Sequence, residues 1–363
     1  MDGLRRADFP FRMLDESLIA PRRTLPHMSE EGLPARVFLV QASFISGGLL
    51  LTFVGQHNTM DMTGQARVID LLSKACCNES FTSEELSTGN LARYNLIPFL
   101  DDNSYKTDPH LARQILKPAR SQPTSDDSND KLTPPSPICV WKYFSFGSDS
   151  LASLKSLAEK DMTSPSGYIS TDDALSAFIW QSIMRARSHR LGASTKCTFA
   201  RAVDVRRYLD IPNSYPGLIQ NMAYTDYELE QLLEEPLGRV ASQLRLAVDP
   251  KTSNLKYSSR ALATFVNSSP DKSLFSFTAS LDTQVDIMLS SWAKPDLYDL
   301  DFNLGLGKPE AVRRPHFDPV ESLIYFMPKR LDGEIAVAIC LRAEDMERFR
   351  LDKGVLMYSK YIE

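Results

Sequence analysis

The segment QHNTMDMTG at 56–64 holds the residues best suited to chemistry, because His57 precedes Asp61 by four positions there. An imidazole titrates near neutral pH, so it can take a proton from an alcohol or amine that attacks an activated acyl group. A carboxylate at a helix start can pair with an arginine and hold the local geometry. The spacing predicts a base and a positioning acid, although an incidental histidine beside a capped helix has the same pattern.

A second segment, LSSWAKPDLYDLDFNLGLGKPEAVRRP at 289–315, makes the first one more specific. Asp301 opens a glycine-rich turn there, which includes Gly305 and ends at Lys308 and a proline. Taken alone, the glycines could simply permit a tight turn. The sequence contains no phosphate-binding loop and no dinucleotide-binding fingerprint.

The elements around His57 predict a corner between a strand and a helix. Two β-rich runs at 36–44 and 49–57 are separated by a Ser-Gly-Gly segment that is typical of a hairpin turn. Apolar residues then recur at helical spacing over 63–78, and Asp61 or the threonine that follows can cap the first N–H groups. We therefore expect His57 at the end of a strand.

The rest of the chain alternates between strand and helix patterns. This alternation favours an α/β fold in which mixed sheets are flanked by helices. The predicted strands lie at 139–146, 196–206, 285–292, 322–328 and 334–341. The predicted helices lie at 148–161, 171–191, 229–248 with a break at Pro236, 255–266 and 343–354.

The length of 363 residues favours two domains. Residues 118–137, PARSQPTSDDSNDKLTPPSP, are rich in Pro, Ser and Asp and read as a surface loop or linker. We therefore predict an amino-terminal domain over 1–137 that carries His57, and a carboxyl-terminal domain over 138–363 that carries the glycine-rich turn.

Composition argues against several other classes of protein. The net charge is -5, and the basic pairs are too short for a nucleic-acid surface. We find no signal-peptide pattern and no apolar run long enough to span a membrane, so a cytosolic location is expected. The five cysteines form no CxxC pair and the other histidines are isolated, so neither disulfides nor a metal site is predicted.

Together the two segments resemble motifs of the BAHD acyltransferases, and most of all the fungal trichothecene 3-O-acetyltransferase-like branch. HNTMDMTG is similar to the HxxxDG motif and DFNLGLGKP to the DFGWG motif. STDDALSAFIWQSIMRAR and ARAVDVRRYL are similar to the helix and strand between them. The resemblance implies a two-domain, chloramphenicol-acetyltransferase-like fold around a channel that coenzyme A enters from one face and the acceptor from the other.

Residue roles follow from this resemblance. It implies that His57 is the general base, that Asp61 pairs with an arginine, and that Arg206 is the best candidate for that partner. Asp301 would brace the second motif away from the reacting atoms. Lys308 would receive the diphosphate of the coenzyme. Ser291 and Gly305 are expected to line the coenzyme site together with Lys308.

The implied activity is transfer of an acyl group, with acetyl-CoA as co-substrate and no permanently bound cofactor. The acceptor would be a small alcohol, such as a hydroxylated terpenoid or an ergot alkaloid like fumigaclavine B. We expect a monomer without nucleic-acid or membrane partners. Amide formation is disfavoured, because Gln56 precedes His57 where condensation domains carry a second histidine.

The two motifs depart from the family pattern at two places that the fungal branch tolerates. The tryptophan of DFGWG is absent, and Met62 stands where the first motif usually has glycine. The family also has roughly a hundred more residues before this histidine, so the amino-terminal domain is expected to be shortened. This shortening keeps open the alternative of a truncated, non-catalytic relative that serves as a binding or regulatory module.

Overall fold

The computed structural model describes residues 1–25, 36–94, 96–101, 104–116, 137–165 and 167–363. The predicted linker at 118–137 lies outside these ranges except for Pro137, so the linker and its domain boundary stay predictions. Residues from both sides of that boundary share a hydrophobic cluster. Within it, the rings of Phe11 and Tyr143 stack with their centroids 4.0 Å apart.

Within the described residues, seven strands form one mixed sheet and two form a separate hairpin. The strands are β1 Phe38–Ile45, β2 Gly48–Gly55, β3 Cys139–Phe146, β4 Lys196–Asp204, β5 Gln220–Glu228, β6 Ile287–Ser291, β7 Leu323–Phe326, β8 Ile335–Arg342 and β9 Lys360–Ile362. The sheet order is β5-β4-β6-β7-β8-β3-β9. Pairing is parallel between β4 and β6 and between β6 and β7, and antiparallel elsewhere.

Helices flank this sheet, which confirms the predicted mixed α/β class. They are α1 Asp2–Arg6, α2 Glu16–Ile19, α3 Met62–Cys76, α4 Ser83–Gly89, α5 Pro109–Ala112, α6 Ser148–Lys160, α7 Thr171–Arg187, α8 Leu229–Glu234, α9 Leu237–Leu246, α10 Leu255–Ser268, α11 Ala343–Arg350 and α12 Lys353–Tyr358. Among the described residues, no helix combines the length and apolar character needed to cross a membrane.

The core lies between the sheet and α7. Strand β8 is buried along nearly its whole length, and this agrees with the continuous apolar pattern of strands that are covered on both faces. Helix α7 is buried on most of its circumference because it packs between the sheet and α6 and α9. Its Trp180 is fully buried, with the ring centroid 5.3 Å from that of Phe199 on β4.

The predicted hairpin is confirmed and leads directly to His57. β1 and β2 pair antiparallel from Phe38 opposite Gly55 to Ile45 opposite Gly48, with a two-residue turn between them. Gly47 in that turn has φ of 78°, a left-handed conformation that glycine adopts without steric cost. β2 therefore delivers the chain to the start of α3.

Two helices and two strands differ most from the sequence prediction. The helix predicted over 171–191 ends at Arg187. The helix predicted over 343–354 is two helices, because Asp352 caps a new one by accepting hydrogen bonds from the N–H groups of Gly354 and Val355. Strands β5 and β9 were not predicted.

Candidate active site

The corner between β2 and α3 is built by two local devices. The Gln56 carbonyl accepts hydrogen bonds from the N–H groups of Thr59 at 2.9 Å and Met60 at 3.1 Å, which turns the chain as the strand ends. Asp61 then caps α3, because its Oδ1 accepts from the Gly64 N–H at 2.8 Å. His57 lies within this turn and is exposed to solvent.

Asp61 faces Arg206 rather than solvent. Only 4% of its surface is exposed, and Arg206 is fully buried. Arg206 Nη1 donates to Asp61 Oδ2 at 2.9 Å and Nη2 donates to Oδ1 at 3.0 Å, so the pair is bidentate. The structure thus brings together the two residues that the resemblance paired.

Arg206 uses all five of its N–H groups. Besides its two bonds to Asp61, it donates to the carbonyls of Tyr215 at 3.1 Å and Gly217 at 2.5 Å, and to Asp204 Oδ1 at 2.8 Å. Burial acts to lower the pKa of Arg206, but the charges of Asp61 and Asp204 outweigh it and raise the pKa. This arginine therefore stays charged and fixes the segment 215–217 against the corner.

The bonding of Asp61 decides what it can do. Its four hydrogen bonds come from Gly64, Ile219 and twice from Arg206, with the Ile219 N–H at 2.7 Å, so both oxygens are fully engaged. His57 makes no hydrogen bond to any described residue. Asp61 can therefore position the corner, but it does not orient the imidazole directly.

Gly64 permits a close approach that any larger residue would prevent. A Cβ built on Gly64 would lie 2.1 Å from the carbonyl oxygen of Pro216. The first turn of α3 thus rests against the segment that Arg206 binds. The family pattern led us to expect a glycine at position 62, where this chain has Met62. The glycine that this contact needs is Gly64, two positions later.

Asp301 lies at the opposite end of α3 from the corner. Its backbone carbonyl accepts hydrogen bonds from Ser73 Oγ at 2.7 Å and Cys77 Sγ at 3.3 Å, and its Oδ1 accepts from the Asn303 N–H at 2.8 Å. At 1.5 Å per residue, Ser73 is about 17 Å along the helix from Met62. Asp301 is therefore placed to hold the helix, far from His57.

The glycine-rich turn after Asp301 is exposed. Asn303, Gly305 and Gly307 have φ of 52°, 71° and 72°, and no atom lies within 4 Å of a Cβ built on either glycine. Lys308 Nζ is 2.9 Å from Asp299 Oδ1, with about half of each side chain exposed. The glycines serve the turn conformation, and the Lys308 charge is already paired.

Ser291 lies at the end of β6, on a third part of the structure. Its hydroxyl donates to Asp172 Oδ2 at 2.5 Å, and Asp172 also binds Arg201. Because its proton is committed to Asp172, Ser291 can accept a further hydrogen bond but cannot readily donate one. The structure thus joins Asp61 and Arg206 at the corner that carries His57. Ser291 is bonded to Asp172, and the turn that holds Gly305 and Lys308 lies beside the far end of α3.

Sequence reasoning missed part of this arrangement. Asp204 was not singled out, although its spacing from Arg206 in VDVR is a readable signal. The carbonyls of Tyr215 and Gly217 carry no side-chain signature. His189 had appeared isolated, but it lies near Glu344 and Asp345 in the one group of described residues with metal-like spacing.

That group is better explained as an ion-pair network than as a metal site. Asp345 is fully buried and already binds two arginines. Arg190 Nη2 lies 2.7 Å from its Oδ2, and Arg187 Nε lies 3.4 Å from the same oxygen. The two guanidinium groups would repel a cation placed there.

Comparison with known proteins gives a consistent result. The model of the trichothecene 3-O-acetyltransferase-like N-terminal domain matches residues 1–76. The chain is 54% identical over its whole length to an O-acetyltransferase, dmxR13, of Cryptosporiopsis sp. (strain 8999), covering 78% of that protein. It is 49% identical to trichothecene 3-O-acetyltransferase TRI101 of Fusarium sporotrichioides, covering 77% of it.

A solved structure agrees with these relatives. The crystal structure of Fusarium sporotrichioides TRI101 complexed with coenzyme A and T-2 superposes on the chain with a TM-score of 0.91. The two are 48% identical, and the match covers 100% of this chain and 78% of that one. The predicted co-substrate, acetyl-CoA, therefore agrees with the coenzyme that this relative binds.

The fold and these relatives define an enzyme of the BAHD acyltransferase class, an O-acetyltransferase. More narrowly, the chain belongs to the trichothecene 3-O-acetyltransferase-like family. The family resemblance, the fold class and the enzyme class predicted from the sequence are all confirmed.

Proposed function

We propose that this protein transfers the acetyl group of acetyl-CoA to a hydroxyl of a small fungal secondary metabolite, with His57 as the general base. The observation that carries the proposal is the corner that presents His57. It is fixed by a buried, fully hydrogen-bonded pair of Asp61 and Arg206, while the imidazole itself is exposed and free of hydrogen bonds to described residues. A reacting molecule can therefore reach it.

The reaction proceeds in a ternary complex without a covalent enzyme intermediate. His57 takes the proton of the acceptor hydroxyl as the oxygen attacks the carbonyl carbon of the thioester. The carbon–sulfur bond then breaks, and the imidazolium returns the proton to the departing thiolate. The products are an acetyl ester and free coenzyme A. Asp61 and Arg206 contribute by positioning, because neither touches the imidazole.

The acceptor we favour is a terpenoid alcohol of the trichothecene type. Two lines support it: the relatives named as trichothecene 3-O-acetyltransferases are 46–49% identical, and solved relatives are complexed with T-2 or deoxynivalenol. An ergot alkaloid such as fumigaclavine B is the second acceptor class to include. We expect a cytosolic monomer.

The test measures thiol release from acetyl-CoA by purified protein with a panel of hydroxylated terpenoids and ergot alkaloids. Wild type should release thiol only when an acceptor is present. His57→Ala should lose this activity by a factor of about 100 to 10,000, the usual contribution of a general base. His189→Ala is the matched control, because His189 is also exposed but lies beyond the end of α7.

The outcomes separate the alternatives. Loss in His57→Ala with full activity in His189→Ala supports the base, and the acceptor that is consumed names the substrate class. Equal activity of both variants contradicts the role of His57. If wild type binds coenzyme A but acetylates nothing in the panel, the non-catalytic module becomes the better explanation.

A further inference from the structure

The turn that carries His57 is held at a second carbonyl, that of Thr59. This oxygen accepts hydrogen bonds from the Leu218 N–H at 3.0 Å and from Arg93 Nη1 at 3.1 Å. At the start of the turn, the Gln56 carbonyl accepts from the Thr59 hydroxyl at 2.7 Å as well as from the two N–H groups described above. His57 therefore lies between two carbonyls that are both fixed by hydrogen bonds.

Arg93 reaches this turn from a separate segment of the chain. It is exposed and follows the end of α4 by four residues. Its guanidinium makes no other hydrogen bond or ion pair with a described residue. A hydrogen bond from a charged guanidinium is stronger than one between neutral groups. Arg93 therefore forms a single, direct tie between the segment after α4 and the corner.

The other end of the same segment is tied to the last turn of α3. Glu85 on α4 accepts from Lys74 Nζ and also from the Thr82 N–H, as part of the capping box that begins α4. Lys74 is about 18 Å along α3 from Met62. The segment from Glu85 to Arg93 therefore runs back along α3, from its last turn to the corner before its first turn.

Polar ties, rather than apolar packing, hold this segment. Helix α4 is exposed along most of its length, and the side chains of Leu86 and Leu91 are 52% and 38% exposed. Side chains that stay in water gain little from the hydrophobic effect. The loss of the bond from Arg93 would therefore free the end of the segment that contacts the turn of His57.

We propose that Arg93 is a positioning residue for the reaction, because it holds the Thr59 carbonyl and thereby the turn that presents His57. The buried Arg206 holds the same corner through Asp61, and the exposed Arg93 adds a tie from the outside. A displacement of about 1 Å at a reacting group can lower a rate by about two orders of magnitude. The inference rests on the proposed role of His57 as the base.

The kinetic test replaces Arg93 with methionine and with lysine. Arg93→Met should lower kcat about 10-fold and leave the KM values for acetyl-CoA and the acceptor within about twofold, because the turn moves but no substrate contact is removed. Lysine can still donate to the Thr59 carbonyl, so Arg93→Lys should recover most of kcat. Because Arg93 is exposed, both variants should melt within about 2 °C of wild type.

The matched control is Arg260→Met. Arg260 on α10 also donates to backbone carbonyls, those of Pro98 at 2.9 Å and Phe99 at 2.8 Å, but it has no bond to the corner. It should keep the wild-type kcat. An equal fall in kcat in this control would assign the effect to the chain around Pro98 and overturn the role of the Arg93 bond.

Three further results would overturn the proposal. The first is an unchanged kcat in Arg93→Met. The second is a rise in the acceptor KM alone, which would make Arg93 a residue that binds the acceptor. The third is a shift of the acid limb of kcat/KM to higher pH, because removal of a cation that acts directly on the base would make the base easier to protonate.

Hydrogen–deuterium exchange keeps this result separate from the proposed function. In Arg93→Met, the N–H groups of Met60 and Leu218 should exchange about 10-fold faster than in wild type, because both hydrogen bonds lie in the turn that Arg93 holds. The N–H groups of the buried strand β8 should keep their rates. Faster exchange at the turn supports the tie even if no acceptor in the panel is acetylated, and unchanged exchange there refutes it.

Discussion

Replacing Asp61 with asparagine tests whether the corner depends on the buried ion pair. Asparagine has almost the same size, and its amide oxygen can still accept from the N–H groups of Gly64 or Ile219. Its NH₂ group, however, faces one Arg206 N–H and one backbone N–H, and it cannot accept from either of them. The substitution therefore leaves a fully buried guanidinium with one of its two carboxylate partners, Asp204.

The expected cost follows from that loss. Removing one partner of a buried ion pair usually destabilises a protein by about 3–5 kcal/mol. Arg206 keeps its bonds to Asp204 and to two backbone carbonyls, so we expect the lower end, about 3 kcal/mol. At 1.4 kcal/mol per tenfold change, the unfolding equilibrium shifts by about two orders of magnitude. Urea unfolding followed by tryptophan fluorescence measures this change.

The same variant separates positioning from a direct role in proton transfer. Because Asp61 does not bond to His57, Asp61→Asn should lower kcat while the acid side of the profile of kcat/KM against pH stays where it is in wild type. A carboxylate that acted on the imidazole would move that side of the profile. Arg206→Met should have the same kinetic effect, since it releases the same corner.

Two results would refute this reasoning. A loss of unfolding free energy below about 1 kcal/mol would show that the pair does not hold the corner. A shifted acid limb with unchanged stability would show that Asp61 acts through His57. The double variant Asp61→Asn/Arg206→Met provides a check, because residues in contact should show a coupling energy of about 0.5–3 kcal/mol.

Further predictions concern backbone fit and pH. Gly64→Ala should destabilise the fold and lower kcat, because its Cβ would lie 2.1 Å from Pro216 O, whereas Gly89→Ala, with open space around its Cβ, should be nearly neutral in urea unfolding. Asn303→Gly should be neutral or stabilising and Asn303→Ala should cost about 1 kcal/mol, because φ is 52°. Burial raises the pKa of Asp173, but two arginines outweigh it, so its folded pKa lies below its usual 3.8. The stability that this carboxylate contributes is present above pH 4 and is lost as the pH falls further. In Asp173→Asn, the urea midpoint of unfolding should therefore depend less on pH over that range than it does in wild type.

The features predicted well from the sequence are those with strong periodicity or local capping chemistry. The hairpin before His57 has alternating and branched residues around a turn with two glycines. The start of α3 has a carboxylate in the right place to bind its own first turn, and Asp61 does so. Such signals are local, so they can be interpreted from the sequence without the tertiary structure.

The features that were missed depend on partners distant in sequence. Strand β5, QNMAYTDYE, mixes amides, acids and aromatic residues because it lies at the edge of the sheet and is only partly buried. The pairing of Lys308 with Asp299 could not be read from spacing. Charge neutralisation is a property of the fold, so candidate phosphate ligands needed coordinates.

Helix α3 explains why the two motifs occur together although they are far apart in sequence. Its first turn is held by Asp61, which binds Arg206, and its last turn is held by the segment of Asp301 through Ser73. A rod fixed at one end only can still tilt, and at about 17 Å from its pivot a tilt of a few degrees moves the other end by about 1 Å. A misplacement of 1 Å at a reacting group can cost two orders of magnitude in rate. We therefore expect a brace at the far end of α3 to affect catalysis through the placement of His57, the base that we propose.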